Sequence, residues 1–417
     1  MLNLMRIFSM VAGMLATTSV AMAAPVELNF WDQVWGPASY SQRAQQLVDE
    51  FNKSQSDIKV IYRSVPWANW YETYVTAIAS GSAPDISTGG GFQAVQFYSM
   101  DAILPVDDLV KQMESDGTAS DFAPGTLDAM KYDGHYVGLP WAIDLRTLFY
   151  RKDVLAAAGQ KVPTTWDEMR AVAKAVTKDG TYGLVSSGDP TGMHWILDAM
   201  INNGGGLFDA DRKANLTGEK SLQALEFLSG FVADGSLNPA SVGYTNDDAR
   251  GSFFAGKAAF YLSSPSTADQ AGKDKDEIGV VPPLVSASGT KGAISWINNI
   301  MIYKQTKHPE ETLKFLRWWS NHQKVLWTEG KAGGVPARMS YLKDNFFSQN
   351  EQMSFVIQNY LPVSKPMSAT AGGTFPQLNE IDGDGFMMSL MQKIWQGQPV
   401  KEAVEPAQER LSEIMSK

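Results

Sequence analysis

No cysteine occurs anywhere in the 417 residues, so disulfides, thiolate nucleophiles, thiolate metal sites and a cysteine-borne lipid are all excluded. Histidine is nearly as scarce. The four present, His135, His194, His308 and His322, are scattered, with no His-Glu-x-x-His spacing, and Gly-x-Ser-x-Gly is missing as well. Charged residues make up only 19%, and Lys plus Arg number 35 against 45 Asp plus Glu, a net charge of −10. A chain short of positive charge is a poor partner for nucleic acid or anionic lipid surfaces. Long apolar runs are lacking too. The one at the start, Ile7 to Ala16, is about half of the roughly 20 residues that a membrane span needs.

What is present at that end reads as an export signal: Arg6, the short apolar stretch, then the small-residue site Ala21-Met22-Ala23, with cleavage expected before Ala24. Removing residues 1–23 would take Arg6 with it and leave 394 residues of net charge −11. With no disulfide, an exported chain of this length must draw its stability from large cores, and 44% hydrophobic residues can supply two domains. Disorder is excluded on the same grounds.

Strand and helix periods alternate along the chain. Val26, Leu28 and Phe30 alternate with Glu27 and Asn29; Ala44, Leu47, Val48 and Phe51 follow helical spacing; Ile58 to Tyr62 is strand-like again. Tyr71 to Ala79 reads as a helix ended by Gly81 and Pro84, and Asp85-Ile86-Ser87 runs into Gly89-Gly90-Gly91. Strand, helix, strand, helix, strand implies a parallel sheet. A second α/β unit follows Pro140. Thr165 with Glu168 reads as a capping box opening a helix to Val176, then come a strand at Tyr182 to Val185 and a helix at His194 to Ile201. Later helices are expected at Ser221–Ala233, Pro309–His322, Phe386–Trp395 and Val400–Met415. No flexible linker divides the units. The chain crosses between them in extended segments, Tyr136–Tyr150 and Ile294–Tyr303, which suits a hinge.

Seven collinear stretches carry a resemblance: Leu28-Asn29-Phe30-Trp31, Gly81-Ser82-Ala83-Pro84-Asp85-Ile86, Asp133 to Trp141, Thr147 to Asp153, Pro163 to Glu168, Phe254 to Phe260, and Gly397-Gln398-Pro399-Val400. Together they resemble the extracellular solute-binding proteins of sugar ABC transporters, the maltose-binding-like group. The resemblance implies an α/β, two-lobed periplasmic-binding-protein-like (type II) fold with the ligand cleft between lobes. It also implies a small carbohydrate in that cleft and docking on inner-membrane ABC permease subunits with a cytoplasmic ATPase. Arg151 stands where the group usually has Asn, and the Gly89–Gly91 loop is unusual. The expected division is a first lobe of 26–138 and 294–334 and a second of 139–293 and 335–417. The expected protein is a periplasmic monomer without cofactor or metal.

A sugar presents hydroxyls that donate and accept, and C–H faces that are apolar, so its site needs aromatic planes beside amides, carboxylates or guanidinium groups. In open α/β sheets that site lies beyond the carboxyl ends of strands. Trp31, Gln33 and Trp35 follow the first strand, Trp31 reading equally as core. Gly90, Gly91 and Phe92 follow another strand, as ligand contact or as a flexible loop. On the first crossing Trp141, Asp144 and Arg146 are candidates; the resemblance places a ligand carboxylate at Asp144, and a bare Asp144–Arg146 hinge brace is the other reading. Trp296 and Asn298 on the return crossing serve either stacking or inter-lobe packing. Asp189, Trp195, Ser264 and Ser266 are candidates from the second unit. Arg338 reads as a fork of donors or as a salt bridge, and Asp382 is within reach from the second lobe.

Other chemistries fit less well. Gly251 to Lys257 has P-loop spacing, but Ala258 replaces the Ser/Thr that would hold magnesium, and the stretch reads as helix end, turn and strand. Asp382-Gly383-Asp384-Gly385 lacks the rest of a calcium loop. A glycosidase would need a carboxylate pair that nothing here fixes. Within binding proteins, a sulfonated or acidic sugar, a polyol or a glycerol phosphate ester is the alternative ligand, with Arg146 and Arg338 the only cations suspected at the cleft.

Overall fold

Alternation along the first strand, Val26–Gln33, buries Leu28 and Phe30 and leaves Glu27 and Asn29 exposed. The computed structural model describes residues 24–417; the expected leader, residues 1–23, lies outside the described residues. Val26–Gln33 pairs in parallel with Ile58–Val65 on one side and Ile86–Gly89 on the other. The intervening helix Ala38–Ser54 lays Tyr40, Ala44, Leu47, Val48 and Phe51 into the core, the spacing expected of an amphipathic helix. Among the described residues no helix is long and apolar enough to cross a membrane.

The sheet is not purely parallel. Two long strands, Leu139–Leu145 and Ala293–Tyr303, pair antiparallel with each other, and Ala293–Tyr303 also pairs antiparallel with Ile86–Gly89. The order runs Val335–Pro336, Leu139–Leu145, Ala293–Tyr303, Ile86–Gly89, Val26–Gln33, Ile58–Val65. A second sheet joins Ile278–Val280, Thr147–Arg151, Ala258–Ser263 and Tyr182–Leu184. Each sheet carries its own cores: Phe30, Phe51, Trp141, Phe315, Trp319 and Trp327 on the first, Phe208, Phe231, Leu390, Ile394 and Leu411 on the second. Two lobes result.

The lobe boundaries differ from expectation at both ends. Leu139–Leu145 is a central strand of the first sheet, so the chain changes lobe at Arg146 rather than after 138. An extended crossing segment has the same local pattern whichever sheet it joins, and only its partners decide. Residues 335–363 also stay with the first lobe: Val335, Ala337, Tyr341, Phe347, Met353, Val356 and Tyr360 share the core of Leu28 and Phe30. The second lobe resumes with Met367. Three crossings therefore join the lobes instead of two.

Local signals hold well. Helices occupy Trp166–Val176, His194–Asn202, Glu219–Ala233, Pro309–His322, Phe386–Trp395 and Val400–Met415. The Thr165 hydroxyl caps Glu168 N at 3.2 Å, but Glu168 returns its carboxylate to Thr164 N and Oγ1, both at 2.7 Å, one residue before the expected partner. Gly251 to Lys257 is the end of helix Asn246–Phe254 and a turn at Gly256, with φ +70°, before strand Ala258–Ser263.

Tyr360 pins the third crossing. Its buried hydroxyl accepts from Leu148 N at 3.2 Å and donates to Val281 O at 2.8 Å, both in the second lobe. Tyr360→Phe strands two backbone groups and is expected to lower the unfolding free energy by about 1–3 kcal/mol. Equilibrium denaturation checks this, and an unchanged midpoint would remove Tyr360 as a tie between lobes.

Candidate functional site

The carboxyl ends of the first-lobe strands converge on Gly89. By strand register Gln33 stands beside Gly89, two residues beyond the Trp31–Ser87 pair, and Asn299 faces Gly89 from the other side. A Cβ on Gly89 would fall 2.6 Å from Asn299 Oδ1 and 3.0 Å from Gln93 Oε1, so glycine is what lets these two carboxamides come together there. Both amide atoms of Gln33, Gln93 Nε2 and Asn299 Oδ1 are buried without a protein partner. Buried polar groups are normally satisfied, and a cluster of unsatisfied donors and acceptors at strand ends is what a polyhydroxylated ligand would fill.

The loop above them is clamped rather than floppy. Gly91 N donates to Asn298 Oδ1 at 3.1 Å, and Asn299 Nδ2 donates to Gly91 O at 2.9 Å. Gly91 has φ +34°, and a Cβ on it would lie 2.7 Å from Trp296 Cδ1. Phe92 is buried in the same cluster as Trp296.

Aromatic rings line the rim. Trp35 meets Trp67 edge to face at 4.8 Å, Trp67 meets Trp70 at 6.0 Å, and Trp70 meets Tyr71 at 5.7 Å. Trp35 Nε1 donates to Thr88 Oγ1 at 3.1 Å and Trp67 Nε1 to Val34 O at 2.6 Å. With its polar end tied down, Trp67 is still 39% exposed, which leaves an apolar ring surface open at the seam.

At the hinge Arg146 organises a polar knot. Its guanidinium takes both oxygens of Asp144, at 2.7 and 3.1 Å, donates from Nε to His194 Nδ1 at 2.9 Å, and lies 5.0 Å from the Trp296 ring. His194 meets the same ring at 5.0 Å. Because Nδ1 accepts, the imidazole is neutral with its proton on Nε2; burial and the Arg146 charge hold its pKa well below the usual range. Asp382 faces the Trp296 indole. Burial pushes its carboxyl up to about 7, with Trp296 and Arg146 opposing and Asp144 reinforcing. Asp382 as a whole is only partly buried; its Oδ1 and the Trp296 Nε1 are buried atoms that face each other without a hydrogen bond of good geometry. The lobes touch nearby, through Asn379 Nδ2 to Gln96 Oε1 at 2.5 Å and through Gly383 packed on Tyr71.

Gln33, Trp35, Gly90, Gly91, Phe92, Asp144, Arg146, Trp296 and Asn298 thus gather around the strand ends and hinge, and Ser264 comes to the seam opposite Gly333. Others do not. Trp31 is held within the first lobe by Tyr74, at 5.7 Å, and the Arg63 guanidinium, at 4.3 Å. Trp141 is 1% exposed, packed among Trp35, Tyr40 and Trp327, because its strand is central and covered on both faces. Asp189 caps the turn Pro190–Met193 and takes Asn246 N at 2.6 Å. Trp195 and Ser266 are buried in the second lobe. Arg338 is buried against Ser320 O at 2.8 Å, Asn321 Oδ1 at 3.0 Å and the Phe122 ring, and pairs with Asp121 at 3.4 Å, as the salt-bridge reading has it; it ties a turn to helix Pro309–His322 and leaves the cleft. Sequence reasoning passed over Trp67, Trp70, Tyr71 and Asn299. The first three follow the second strand directly, so the strand-end rule applied to Trp31 and Trp35 reaches them too.

The profile of the bacterial extracellular solute-binding proteins matches residues 37–325. The chain belongs to that family. This solute-binding protein is 24% identical over 336 residues to the arabinooligosaccharide-binding protein of Bacillus subtilis (strain 168), covering 76% of this chain and 75% of that one. It is similar to the crystal structure of a sugar transporter from Arthrobacter chlorophenolicus A6 with bound laminaribiose. There the identity is 29% and the TM-score 0.89, covering 94% of this chain and 100% of the other. The fold also matches a receptor from Streptomyces glaucescens GLA.O, solved unliganded and with acarbose: 21% identity, TM-score 0.78, 95% and 100% coverage.

With Trp141 reassigned to the core, Trp141→Ala is expected to cost this solute-binding protein about 3–5 kcal/mol of stability. Urea denaturation measures it. A loss below about 1 kcal/mol would return Trp141 to the surface of the cleft.

Proposed function

We propose that this chain is the periplasmic substrate-binding component of an ABC sugar importer. It closes two lobes on a mono- or oligosaccharide and delivers it to inner-membrane permease subunits powered by a cytoplasmic ATPase. The observation that carries the reading is the set of buried, unpartnered amide atoms of Gln33, Gln93 and Asn299 at the first-lobe strand ends, with the Trp35–Trp67–Trp70 rim following the first two strands and Asp382 Oδ1 beside Trp296 on the second-lobe helix Gln377–Gly383. Amides offer both donors and acceptors, as hydroxyls require, and the rings offer stacking. The family and the sugar ligands of its relatives support the same reading.

Charge favours a neutral sugar over an acidic or phosphorylated solute. Arg146 is neutralised bidentately by Asp144, His194 is held neutral, and Arg338 sits in the first lobe's core. Turnover is not part of the proposal, since Asp144 is engaged by Arg146 rather than free to act as acid, base or nucleophile.

A thermal-shift screen followed by calorimetry tests this. A neutral disaccharide such as laminaribiose is expected to stabilise the protein by about 2.7 kcal/mol at 100 times its dissociation constant, uronic and sulfonated sugars being inert. Trp67→Ala is expected to weaken binding about tenfold, roughly 1.4 kcal/mol. Stabilisation by anionic solutes alone would overturn the neutral-sugar assignment.

A further inference from the structure

Behind the tryptophan rim lies a carboxyl group that no ligand can reach. Asp32 and Thr88 are both fully buried, at 0% exposure, on neighbouring parallel strands; Trp31 pairs with Ser87, so Asp32 stands beside Thr88 one step further along. Three hydroxyls donate to the Asp32 oxygens: Thr88 at 2.7 Å, Tyr40 at 3.0 Å and Tyr62 at 3.1 Å. Tyr40 comes from helix Ala38–Ser54 and Tyr62 from strand Ile58–Val65, so the group is held from three elements. Burial pushes its carboxyl up to about 7, with Thr88, Tyr40, Tyr62 and Trp35 opposing. A carboxyl so costly to desolvate persists only because its oxygens are bonded.

The Thr88 hydroxyl has one hydrogen and two lone pairs, and all three are used. Its hydrogen goes to Asp32, while its oxygen accepts from Gln33 N at 2.9 Å and from Trp35 Nε1 at 3.1 Å. A hydroxyl whose hydrogen is pinned on one side presents its lone pairs on the other. Asp32 therefore fixes Thr88 as an acceptor, and Thr88 fixes the Trp35 indole. That ring is only half-buried, and it meets Trp67 at 4.8 Å and Trp141 at 5.1 Å edge to face. Trp67, the exposed member of the rim, thus rests on a ring whose angle is set from the interior.

We propose that Asp32 and Thr88 are positioning residues of the cleft: without touching the ligand, they hold Trp35, and through it Trp67, at the angle that receives an apolar sugar face. The step to the ligand rests on reading the cleft as a sugar site; the clamp on Trp35 does not.

Three substitutions separate aiming the ring from holding the fold. Thr88→Val keeps the branched shape and removes the acceptor, whereas Thr88→Ser keeps the hydroxyl. Asp32→Asn keeps the shape but brings N–H donors, which compete with Gln33 N and Trp35 Nε1 for the same hydroxyl oxygen. The full chain is compared by near-ultraviolet circular dichroism without ligand and by calorimetry with laminaribiose. Thr88→Val and Asp32→Asn are expected to change the tryptophan bands and to bind laminaribiose about tenfold more weakly, with Thr88→Ser like wild type in both. In a Trp35→Phe background, which has no indole for Thr88 to hold, Thr88→Val is expected to leave the tryptophan bands unchanged. If Asp32→Asn does not fold, the two Thr88 variants decide. Unchanged tryptophan bands in Thr88→Val, or changed bands with wild-type affinity, overturn the proposal and leave the network as a brace of the fold. Failure of wild type to bind laminaribiose, with the bands responding as expected, overturns the sugar reading while leaving the clamp on Trp35 standing.

Discussion

One partly buried guanidinium sets the geometry of the seam. Arg146 sits where the chain leaves the first sheet for the second, and it reaches Asp144 on the strand behind it, His194 on a second-lobe helix and the face of Trp296 on the returning strand. Trp296 lies opposite Asp144 in the ladder, so the ion pair and the indole are neighbours by register rather than by chance. Trp296 in turn touches Gly91 and faces Asp382. Removing one partner of such a partly buried pair leaves a charge without its counter-charge, a penalty that the remaining solvent exposure moderates. The pair therefore braces the crossing while withdrawing Arg146's charge from any ligand.

Around that brace the first lobe builds its site by subtraction. Gly89 and Gly91 carry no side chain where one would strike Asn299, Gln93, Met301 or Trp296. That absence lets two strands and a loop approach closely enough to bury carboxamides together at one edge of the sheet. The price is unsatisfied polar atoms, tolerable where a ligand supplies the missing bonds.

Much of this was legible in the sequence, and the part that was not has a physical reason. Helices declared themselves through periodicity and caps, as at Thr165 and Pro309, because those signals are local. Strand-end residues Gln33 and Trp35 and the hinge pair Asp144–Arg146 were legible because their position in an α/β unit implies where they stand. Trp141 was misplaced because alternation cannot tell a strand covered on both faces from one bordering a cleft; for Arg338 the salt-bridge reading holds, with Asp121, and sequence could not choose it because its partners Asp121, Ser320 and Asn321 are distant along the chain. The third crossing was hidden for a related reason: residues 335–363 carry ordinary amphipathic pattern, and only tertiary contact with Phe30's core assigns them to the first lobe. Trp67 was passed over by applying the strand-end rule to the first and third strands and not to the second.

The proposed mode of binding holds a neutral sugar between the lobes by ring faces and unpaired carboxamides, without a free cation. A crystal structure of the full chain with a neutral disaccharide tests it most directly. The expected result has the sugar enclosed at the seam, a pyranose face against Trp67, and hydroxyls within hydrogen-bond distance of Gln33, Gln93 or Asn299 and of Asp382. A sugar bound outside the seam, or hydroxyls bonded chiefly to an Arg146 released from Asp144, would contradict it.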